Sequence, residues 1–408
     1  MAGTATIVGG AKVTLSLDPA EYAAAQQALS AIGKGYTQGF VLDDDINDAP
    51  KAGALNIYNV TDEDGRPLHG HDHHDHDNDD TYHLRAGAQG IVLTGNEGAT
   101  IVGRSTFEVL IGNQGNDTIN AAGGTGTVIA GDGNNLIETG KSDGLTIVVG
   151  KGDNTIDLQH GNDFVTTLGG TQTINLTGDV KSAVINGSGD RTINDTSNAA
   201  GGSAITVSGG HNTIYTNHDV SIHATTGVEV DQSGHGTLNF VGTGNDLLYL
   251  GSGDDTVVEA GSATVHGGKG QLLFQGGAGN ESVQAGSGNA TLFGGSGHDF
   301  FAAGGGFTTM IAGTGNDTFV GGSHSDLMDG QGAKSNVFEF DKSAHGGFHI
   351  ITNFSEGRDK IDLVGYDTTS AFNHAQVIGG DTVIMLDSGK TEIVLTGFTS
   401  LHKSDFTH

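Results

Sequence analysis

The chain has 408 residues, a formal net charge of −31, 71 glycines, three prolines, and neither cysteine nor tryptophan. The absence of cysteine excludes disulfides and thiolate zinc sites, and the acidic surface disfavours nucleic acid and favours divalent cations. No apolar run approaches eighteen residues and no basic-then-apolar segment opens the chain. We therefore expect neither membrane insertion nor a cleavable signal peptide.

Residues 1–85 are predicted to form a small strand and helix module. The segment "TATIVGGAKVTLSL" is typical of one or two strands. The segment that follows, "SLDPAEYAAAQQALSAIGKG", predicts an amphipathic helix with Asp18 as N-cap, Pro19 at its first position and Gly33 as its stop. Such a module could cap the rest of the fold or pack against another subunit.

Residues 69–80, "HGHDHHDHDNDD", mix imidazoles with carboxylates. Neutral imidazole suits Zn²⁺, Cu²⁺ and Ni²⁺. The candidate ligands are His71, His73, His74 and His76. The same composition is also typical of a flexible, solvated linker, so both interpretations stay open.

An internal repeat occupies residues 86–340. Seven blocks of the template G-G-x-G-x-D-x-U-x, with U apolar, run from residue 267 to 329, and an eight-residue block joins them to two more over 241–258. Upstream, apolar anchors are spaced by 18, 19, 18, 19 and 21 residues, at Ile119, Ile137, Ile156, Ile174, Ile193 and Ile214. A second apolar row falls between them, at Ile129, Ile147, Val165, Val184 and Val207.

The spacing predicts coils of two short strands and two turns. Glycine accepts the positive φ of tight turns, and an apolar residue points inward from each strand. Stacked coils bury a continuous interior that a single coil cannot form. We therefore predict an all-β fold: a right-handed parallel β-roll or β-solenoid of about 18-residue coils over 86–340, with an N-terminal α/β cap and a C-terminal β domain over 341–408.

Acidic residues are expected to collect on two edges, because every second nonamer stacks on the same turn. Edge one holds Asp246, Glu281, Asp299 and Asp317. Edge two holds Asp255, Leu272, Ala290, Thr308 and Asp326. A hard cation needs about six oxygens, which carboxylates and turn carbonyls can supply, so Ca²⁺ is predicted between Asp299 and Asp317 and, less completely, at the other acids of both edges. The alternative is that Asp and Asn simply form good turns.

The N-terminal coils carry mostly amides at the corresponding place, in the row Asp117, Asn135, Asn154, Gln172, Arg191 and Asn212. An amide row can form hydrogen bonds along the stack without a metal. We therefore interpret these coils as largely independent of calcium, with isolated calcium ligands at Asp117 and Asp163.

The blocks "GGSGHDFFA" and "AGTGNDTFV" resemble the RTX (repeats-in-toxin) nonapeptides, which form calcium-binding β-rolls. The segments "FHIITNFSEGRDKIDLVGY" and "DTVIMLDSGKTEIVLTGFTSLHKSDF" are similar to the terminal domain of serralysin-type and other type I secreted proteins. This resemblance implies export by the type I secretion machinery through an uncleaved C-terminal signal, and folding outside the cell on calcium. It also implies that four carbonyls bind calcium together with Asp299 and Asp317, those of Gly294, Ser296, Gly313 and Gly315.

No catalytic constellation is visible. The motifs H-E-x-x-H and G-x-S-x-G are absent. The favoured hypothesis is a secreted, calcium-stabilised structural protein of the cell surface or biofilm matrix that self-assembles into a filament or surface layer. The alternatives are an adhesin or glycan- or ice-binding rod and, with Arg191 or Lys181 at its site, a polysaccharide lyase or epimerase. The expected partners are further copies of the chain, the secretion machinery and a cell-surface polysaccharide.

Overall fold

The computed structural model describes residues 3–6, 12–15, 17–34, 42–43, 55–59, 81–84, 88–95, 97–104, 107–331, 335–344 and 346–407. The chain forms a parallel β-solenoid of about 14 turns with a spacing of about 18 residues, which confirms the predicted fold class. It divides into two compact units, Met1–Ile214 and Tyr215–His408. The predicted boundaries at residues 85 and 340 stay predictions.

Over its described residues, the first unit combines one helix with a series of strands. The helix is α1 (Pro19–Lys34), and the strands are β1 Gly3–Thr6, β2 Lys12–Leu15, β3 Leu42–Asp43, β4 Leu55–Asn59, β5 Thr81–His83, β6 Gly90–Thr94, β7 Thr100–Val102, β8 Phe107–Ile111, β9 Thr118–Asn120, β10 Thr125–Gly131, β11 Leu136–Glu138, β12 Leu145–Val149, β13 Asn154–Asp195, β14 Ser203–Val207 and β15 His211–Thr216. Strands β1 and β2 pair antiparallel. Two parallel ladders then alternate, one through β4, β6, β8, β10 and β12 and the other through β5, β7, β9, β11 and β13.

The isoleucine anchors form the interior of this unit. Ile119, Ile137 and Ile156 lie in register on successive coils. All six anchors are fully buried, as their spacing predicts.

Two members of the second apolar row were wrongly predicted to point inward. Val128 is the residue in register with Ile147. Ile129 lies one position further and packs against the helical module. Val184 is only half-buried, between the buried Ala183 and Ile185. In these strands apolar residues follow each other without alternation, so the sequence does not distinguish the two faces.

Helix α1 covers the outward face of the first ladder. It begins at Pro19, as predicted, and ends at Lys34, one residue beyond Gly33. Its apolar side and the chain before it pack with strand residues in one cluster, which contains Leu15, Leu17, Ala25, Ala28, Leu29, Val92, Val109, Ile111, Ile129 and Val148. The module therefore packs on the side of the solenoid in its own unit. No helix in the described ranges is long and apolar enough to cross a membrane.

The second unit is built from strands, one short α-helix and three 3-10 turns. The strands are β16 Val220–Ala224, β17 Val228–Gln232, β18 Leu238–Gly242, β19 Asn245–Tyr249, β20 Asp255–Glu259, β21 Ser262–His266, β22 Leu272–Gln275, β23 Ser282–Gln284, β24 Ala290–Gly297, β25 Phe300–Ala302, β26 Thr308–Gly315, β27 Thr318–Val320, β28 Asp326–Asp329, β29 Val337–Asp341, β30 Gly347–Thr352, β31 Lys360–Val364, β32 Gln376–Ile378, β33 Asp381–Leu386, β34 Thr391–Leu395 and β35 Phe406–Thr407. The helix is α2 (Thr368–His374), and the 3-10 turns are Lys342–Ala344, Asp387–Gly389 and Lys403–Asp405.

Two parallel ladders again alternate in this unit. The even-numbered strands from β16 to β30 form one ladder, which ends on β34, and the odd-numbered strands from β17 to β31 form the other, which ends on β35. Strand β33 adds an antiparallel pairing to β34. A column of aromatic rings runs through the interior, in which Phe319 and Phe338 are stacked with centroids 5.1 Å apart.

Removing a ring from this column should destabilise the unit far more than removing its exposed neighbour. Phe301 is fully buried beside Phe274 and Phe319, whereas the side chain of Phe300 is 42% exposed. We expect Phe301→Ala to lower the free energy of unfolding by about 3–5 kcal/mol and Phe300→Ala to lower it much less. Denaturant titration in saturating calcium measures both. Equal losses would contradict the assignment of the core.

Candidate calcium sites

The acids of edge one stack on one another in the second unit. Strand β23 pairs with β25, and β25 with β27, so that Glu281, Asp299 and Asp317, which directly precede these strands, lie one above the other. Asp246 lies in the same column and is separated from Glu281 by Ala263. The register confirms that every second nonamer shares an edge.

Each of these carboxylates uses one oxygen to accept a main-chain hydrogen bond from the preceding coil. The N–H of Glu281 donates to Oδ1 of Asp299 at 2.9 Å, and the N–H of Asp299 donates to Oδ1 of Asp317 at 2.9 Å. The N–H of Ala263 donates to Oε2 of Glu281 at 2.8 Å. This bond fixes the carboxylate and leaves its second oxygen for another partner.

The second oxygen is buried and accepts no hydrogen bond within the described part of the chain. The atoms are Oε1 of Glu281 and Oδ2 of Asp117, Asp163, Asp246, Asp299 and Asp317. Burial raises the pKa of Glu281 to about 7 and that of Asp299 to about 6, and it also raises that of Asp317. A buried carboxylate oxygen without a donor is costly, so each group must either keep a proton or hold a cation.

Main-chain oxygens of the stacked turns are the further donors that a calcium ion would use. Strands β24 and β26 pair Gly295 with Gly313 and Gly297 with Gly315. A Cβ at Gly313 would lie 2.1 Å from the oxygen of Gly295, so only glycine allows turns to stack this closely. Carboxylate and carbonyl oxygens are the ligands of Ca²⁺, and these residues fit it. Four residues whose carbonyls were predicted as ligands lie in these two turns, Gly294, Ser296, Gly313 and Gly315.

Within the described residues, no group of three or more His, Asp or Glu side chains could hold a metal ion. A site built on carbonyl oxygens does not need such a group. The candidate transition-metal ligands His71, His73, His74 and His76 lie outside the described residues, and their role stays a prediction.

Edge two has a less uniform environment. Its column contains Asp255, Leu272, Ala290, Thr308 and Asp326 in register. The N–H of Leu238 donates to Oδ1 of Asp255 at 2.9 Å, and burial raises the pKa of Asp255 to about 6. Asp326 instead has the imidazole of His349 in the next coil, with Nδ1 3.1 Å from Oδ2. Asp255 thus accepts a main-chain N–H from the preceding coil, as the acids of edge one do, whereas Asp326 shares with them a buried oxygen, Oδ1, that has no hydrogen-bond partner among the described residues.

The first unit contains the predicted amide row. The N–H of Asp117 donates to Oδ1 of Asn135 at 2.8 Å, and Nδ2 of Asn135 donates to Oδ1 of Asn154 at 2.9 Å. Nδ2 of Asn154 donates in turn to Oε1 of Gln172 at 2.9 Å. The amides supply both donors and acceptors along the stack, so these turns need no cation to neutralise them.

Asp117 and Asp163 are exceptions in this unit. Oδ1 of Asp117 accepts from the N–H of Ala99, and Oδ1 of Asp163 accepts from the N–H of Leu145, both at 2.9 Å. Burial raises the pKa of each acid to about 7. Their environment matches that of the acids of edge one, which supports the proposal that they bind calcium.

The nonapeptide template missed several buried acids, and three of them stand at or beside the stacked turns described above. Glu108 lies in the same column as Asp163, and Gly126 and Leu145 occupy this column in the two coils between them. Burial raises the pKa of Glu108 to about 8. Asp359 continues edge one and accepts from the N–H of Asn336 at 2.8 Å. Both stand two residues before an inward apolar residue, as Asp317 does, and this spacing could have found them. Glu259 is the third, and it departs from that spacing.

A family model for the RTX calcium-binding nonapeptide repeat, in four copies, matches residues 102–137, 146–171, 240–258, 275–310 and 303–332. These stretches include turns of both units that carry buried carboxylates. The chain is an RTX-repeat β-solenoid. RTX nonapeptides bind calcium, and RTX repeat proteins are typically secreted. No curated protein matches the chain.

Replacing two acids of edge one in this RTX protein should remove calcium-dependent stability. In the double variant Asp299→Asn and Asp317→Asn, the amide oxygen can still accept the main-chain N–H, as Asn336 does in the same column, but the charge is lost. We expect fewer bound calcium ions and, at 100 times the dissociation constant, about 2.7 kcal/mol less stabilisation for each ion lost. Calorimetric titration with thermal unfolding measures both.

The exposed Asp254→Asn is the matched control, because it removes one charge beside edge two without emptying a buried position. If the double variant keeps the calcium count and stability of the control, edge one is not a calcium edge.

The calcium-free protein should lose stability as the pH rises. Burial raises the folded-state pKa of Asp117, Asp163 and Glu281 to about 7, above the ordinary value of an acid. The folded state therefore binds more protons than the unfolded state, and this stability is complete below about pH 4 and lost towards pH 7. We expect the melting temperature after calcium removal to fall over this range and the gain from added calcium to grow. A calcium-free melting temperature that rises instead would contradict the burial of protonated acids.

Proposed function

We propose that this RTX protein is a secreted structural protein of the cell surface or biofilm matrix, whose fold is held together by calcium. The observation that carries the proposal is the repetition of one arrangement, a buried carboxylate with one oxygen free, along the stacked turns. Repetition suits a scaffold that is locked by many ions, because each ion stabilises two neighbouring coils. Export through the type I secretion machinery follows from the similarity of the C-terminal segment and is part of the proposal.

Arg191, one of the two basic residues considered for polysaccharide chemistry, has a structural role. Arg191 is only 2% exposed. Its Nε donates to Oδ1 of Asn212 at 2.8 Å, and its guanidinium also donates to the carbonyl of Ser208 at 3.0 Å. An arginine that is buried in the amide row cannot neutralise a sugar carboxylate from solvent. RTX β-solenoids are usually non-catalytic, which agrees with a scaffold function.

A group of outward apolar residues in the second unit supports self-association. Two neighbouring outward columns of the even-numbered ladder carry apolar residues among polar ones. The apolar residues are Val241, Val258, Leu273, Phe293, Ile311, Leu327 and Ile350, and Thr256, Gln275, Thr291, Thr309 and Asp329 stand between them. The side chains of Val241 and Leu273 are 42% and 38% exposed. Exposed apolar side chains grouped on one face mark a candidate interaction site. We propose that other copies of the chain cover it in a filament or surface layer.

A charge placed in this surface should prevent assembly. Leu273→Glu puts a carboxylate in the middle of these outward columns, whereas Ser282→Glu adds the same charge at an exposed position of the other ladder. We expect the wild-type protein and Ser282→Glu to sediment as large assemblies in calcium and Leu273→Glu to stay monomeric. Sedimentation velocity and electron microscopy, with and without calcium, measure this. A wild-type protein that stays monomeric at high concentration in calcium contradicts the proposal.

A second candidate function, an adhesin that binds a cell-surface polysaccharide, is favoured by a row of threonines in the first unit. The outward residues at the starts of five successive strands lie in register: Thr81, Thr100, Thr118, Leu136 and Thr155. The neighbouring outward row is mixed and includes Asn120, Glu138 and Asp157. Hydroxyl, amide and carboxylate groups side by side suit hydrogen bonding to a glycan better than the regular surface that ice requires. Retention on polysaccharide beads that is lost in Thr118→Val would support it.

A further inference from the structure

The repeat is interrupted at the block of residues 259–266, "EAGSATVH", which has eight residues instead of nine. Its register places Ala263 in the column of edge one, between Asp246 and Glu281. The nonapeptide pattern therefore has no acid in this coil. An acid nevertheless enters the same space from a different position of the repeat, Glu259.

Glu259 ends strand β20 and is in register with Gly242. Its side chain is 1% exposed, although the first place of a nonamer is usually a glycine. A Cβ added to Gly242 would lie 2.1 Å from Oδ2 of Asp246 and 2.3 Å from Oε2 of Glu259. The two oxygens therefore face the same small space beside Gly242, which exists because this residue has no side chain.

Neither of these two oxygens has a hydrogen-bond partner among the residues described. The other oxygen of each carboxylate is occupied, because Oε1 of Glu259 accepts from the N–H of Gly261 at 2.7 Å and Oδ1 of Asp246 accepts from the N–H of Val228 at 2.8 Å. Two acids are thus held rigidly, with one free oxygen each, around one buried point.

The charges around this point are all negative. Burial and the adjacent carboxyl of Asp246 raise the pKa of Glu259, and the charge of Glu281 raises it further. Among the described residues, the N–H of Gly261 is the one group that lowers the pKa of Glu259, and no basic side chain of this part of the chain lowers it. Two buried carboxylates without a counter-ion repel each other at close range, so the pair must share a proton or bind a cation.

We propose that Asp246 and Glu259 together bind a divalent cation, at a site to which the nonapeptide pattern contributes Asp246 but not Glu259. Glu259 takes the place of the missing sixth-position acid at Ala263 and supplies a carboxylate from the first position of its block. The site therefore has two side-chain carboxylates, and carbonyl oxygens of the turns supply the remaining ligands of a hard cation. Because Asp246 and Glu259 come from successive coils, the ion joins the shortened coil to the coil before it.

This site rests on the calcium-binding part of the proposed function and not on self-assembly. In the shortened block Ala263 stands in the column where neighbouring coils have an acid, and Glu259, at the end of the preceding strand, brings a carboxylate to the same place instead. The bound cation would preserve the connection between the coils on either side of the irregular turn.

The test counts the calcium ions bound by the full chain at saturation, by equilibrium dialysis and atomic emission. Glu259→Gln keeps the shape of the side chain and removes its charge. Glu259→Gly introduces the residue that stands in register at Gly242 and is therefore a second variant compatible with the fold. Glu229→Gln is the matched control, because Glu229 is exposed on the neighbouring strand β17. We expect the wild type and the control to bind equal numbers of ions and both Glu259 variants to bind one fewer.

Equal counts in Glu259→Gln and the wild type would overturn this site while leaving the proposed function intact. The site would also be overturned by an infrared band of a protonated carboxyl that persists in the wild type at calcium saturation and is absent from Glu259→Gln, because the pair then shares a proton. A wild-type protein that binds no calcium would overturn both this site and the proposed function.

Discussion

The structure depends on how carboxylates are neutralised when they are buried at stacked turns. The parallel ladders bring the same position of successive coils into register, and at edge one this position is acidic. The main-chain N–H of the preceding coil satisfies one oxygen and leaves the other buried and unpaired. Such a stack is favourable when a proton or a cation occupies the turn and unfavourable when neither does. Under the proposed function, calcium is the cation that occupies these turns and is a structural component of the interior.

The two units meet this constraint in different ways. In the second unit, carboxylates and close-packed glycine turns leave spaces lined by oxygen. In the first unit, Asn135, Asn154 and Gln172 fill the corresponding positions and bond to each other directly. An amide is its own donor and acceptor, so it replaces both the acid and the ion. Asp117 lies in the same row and retains an unpaired oxygen. The dependence on calcium is therefore a property of individual turns.

Much of this architecture could be predicted from the sequence, because a period near 18 residues fixes which side chains meet. The isoleucine anchors, the alternation of the two edges and the amide row followed from spacing alone. The prediction that Ile129 points inward was wrong because helix α1 buries the outward face of this strand as well. Apolar residues then occur on both faces, and the sequence shows no alternation that distinguishes the two. Glu108 and Glu259 were missed for a related reason. Glu108 lies outside the glycine-rich nonamers, although its spacing from Leu110 could have revealed it, and only the register of the folded chain shows that Glu259 enters the space beside Asp246.

The most direct test of the calcium account is a crystal structure grown in calcium, with an anomalous difference map that locates the ions. The account predicts density for an ion beside the free oxygens of Asp299 and Asp317, ligated by carbonyls of the stacked turns, and none along the row from Asn135 to Gln172. A well-ordered edge one without an ion, in which the carboxyl groups contact each other or water, would contradict it.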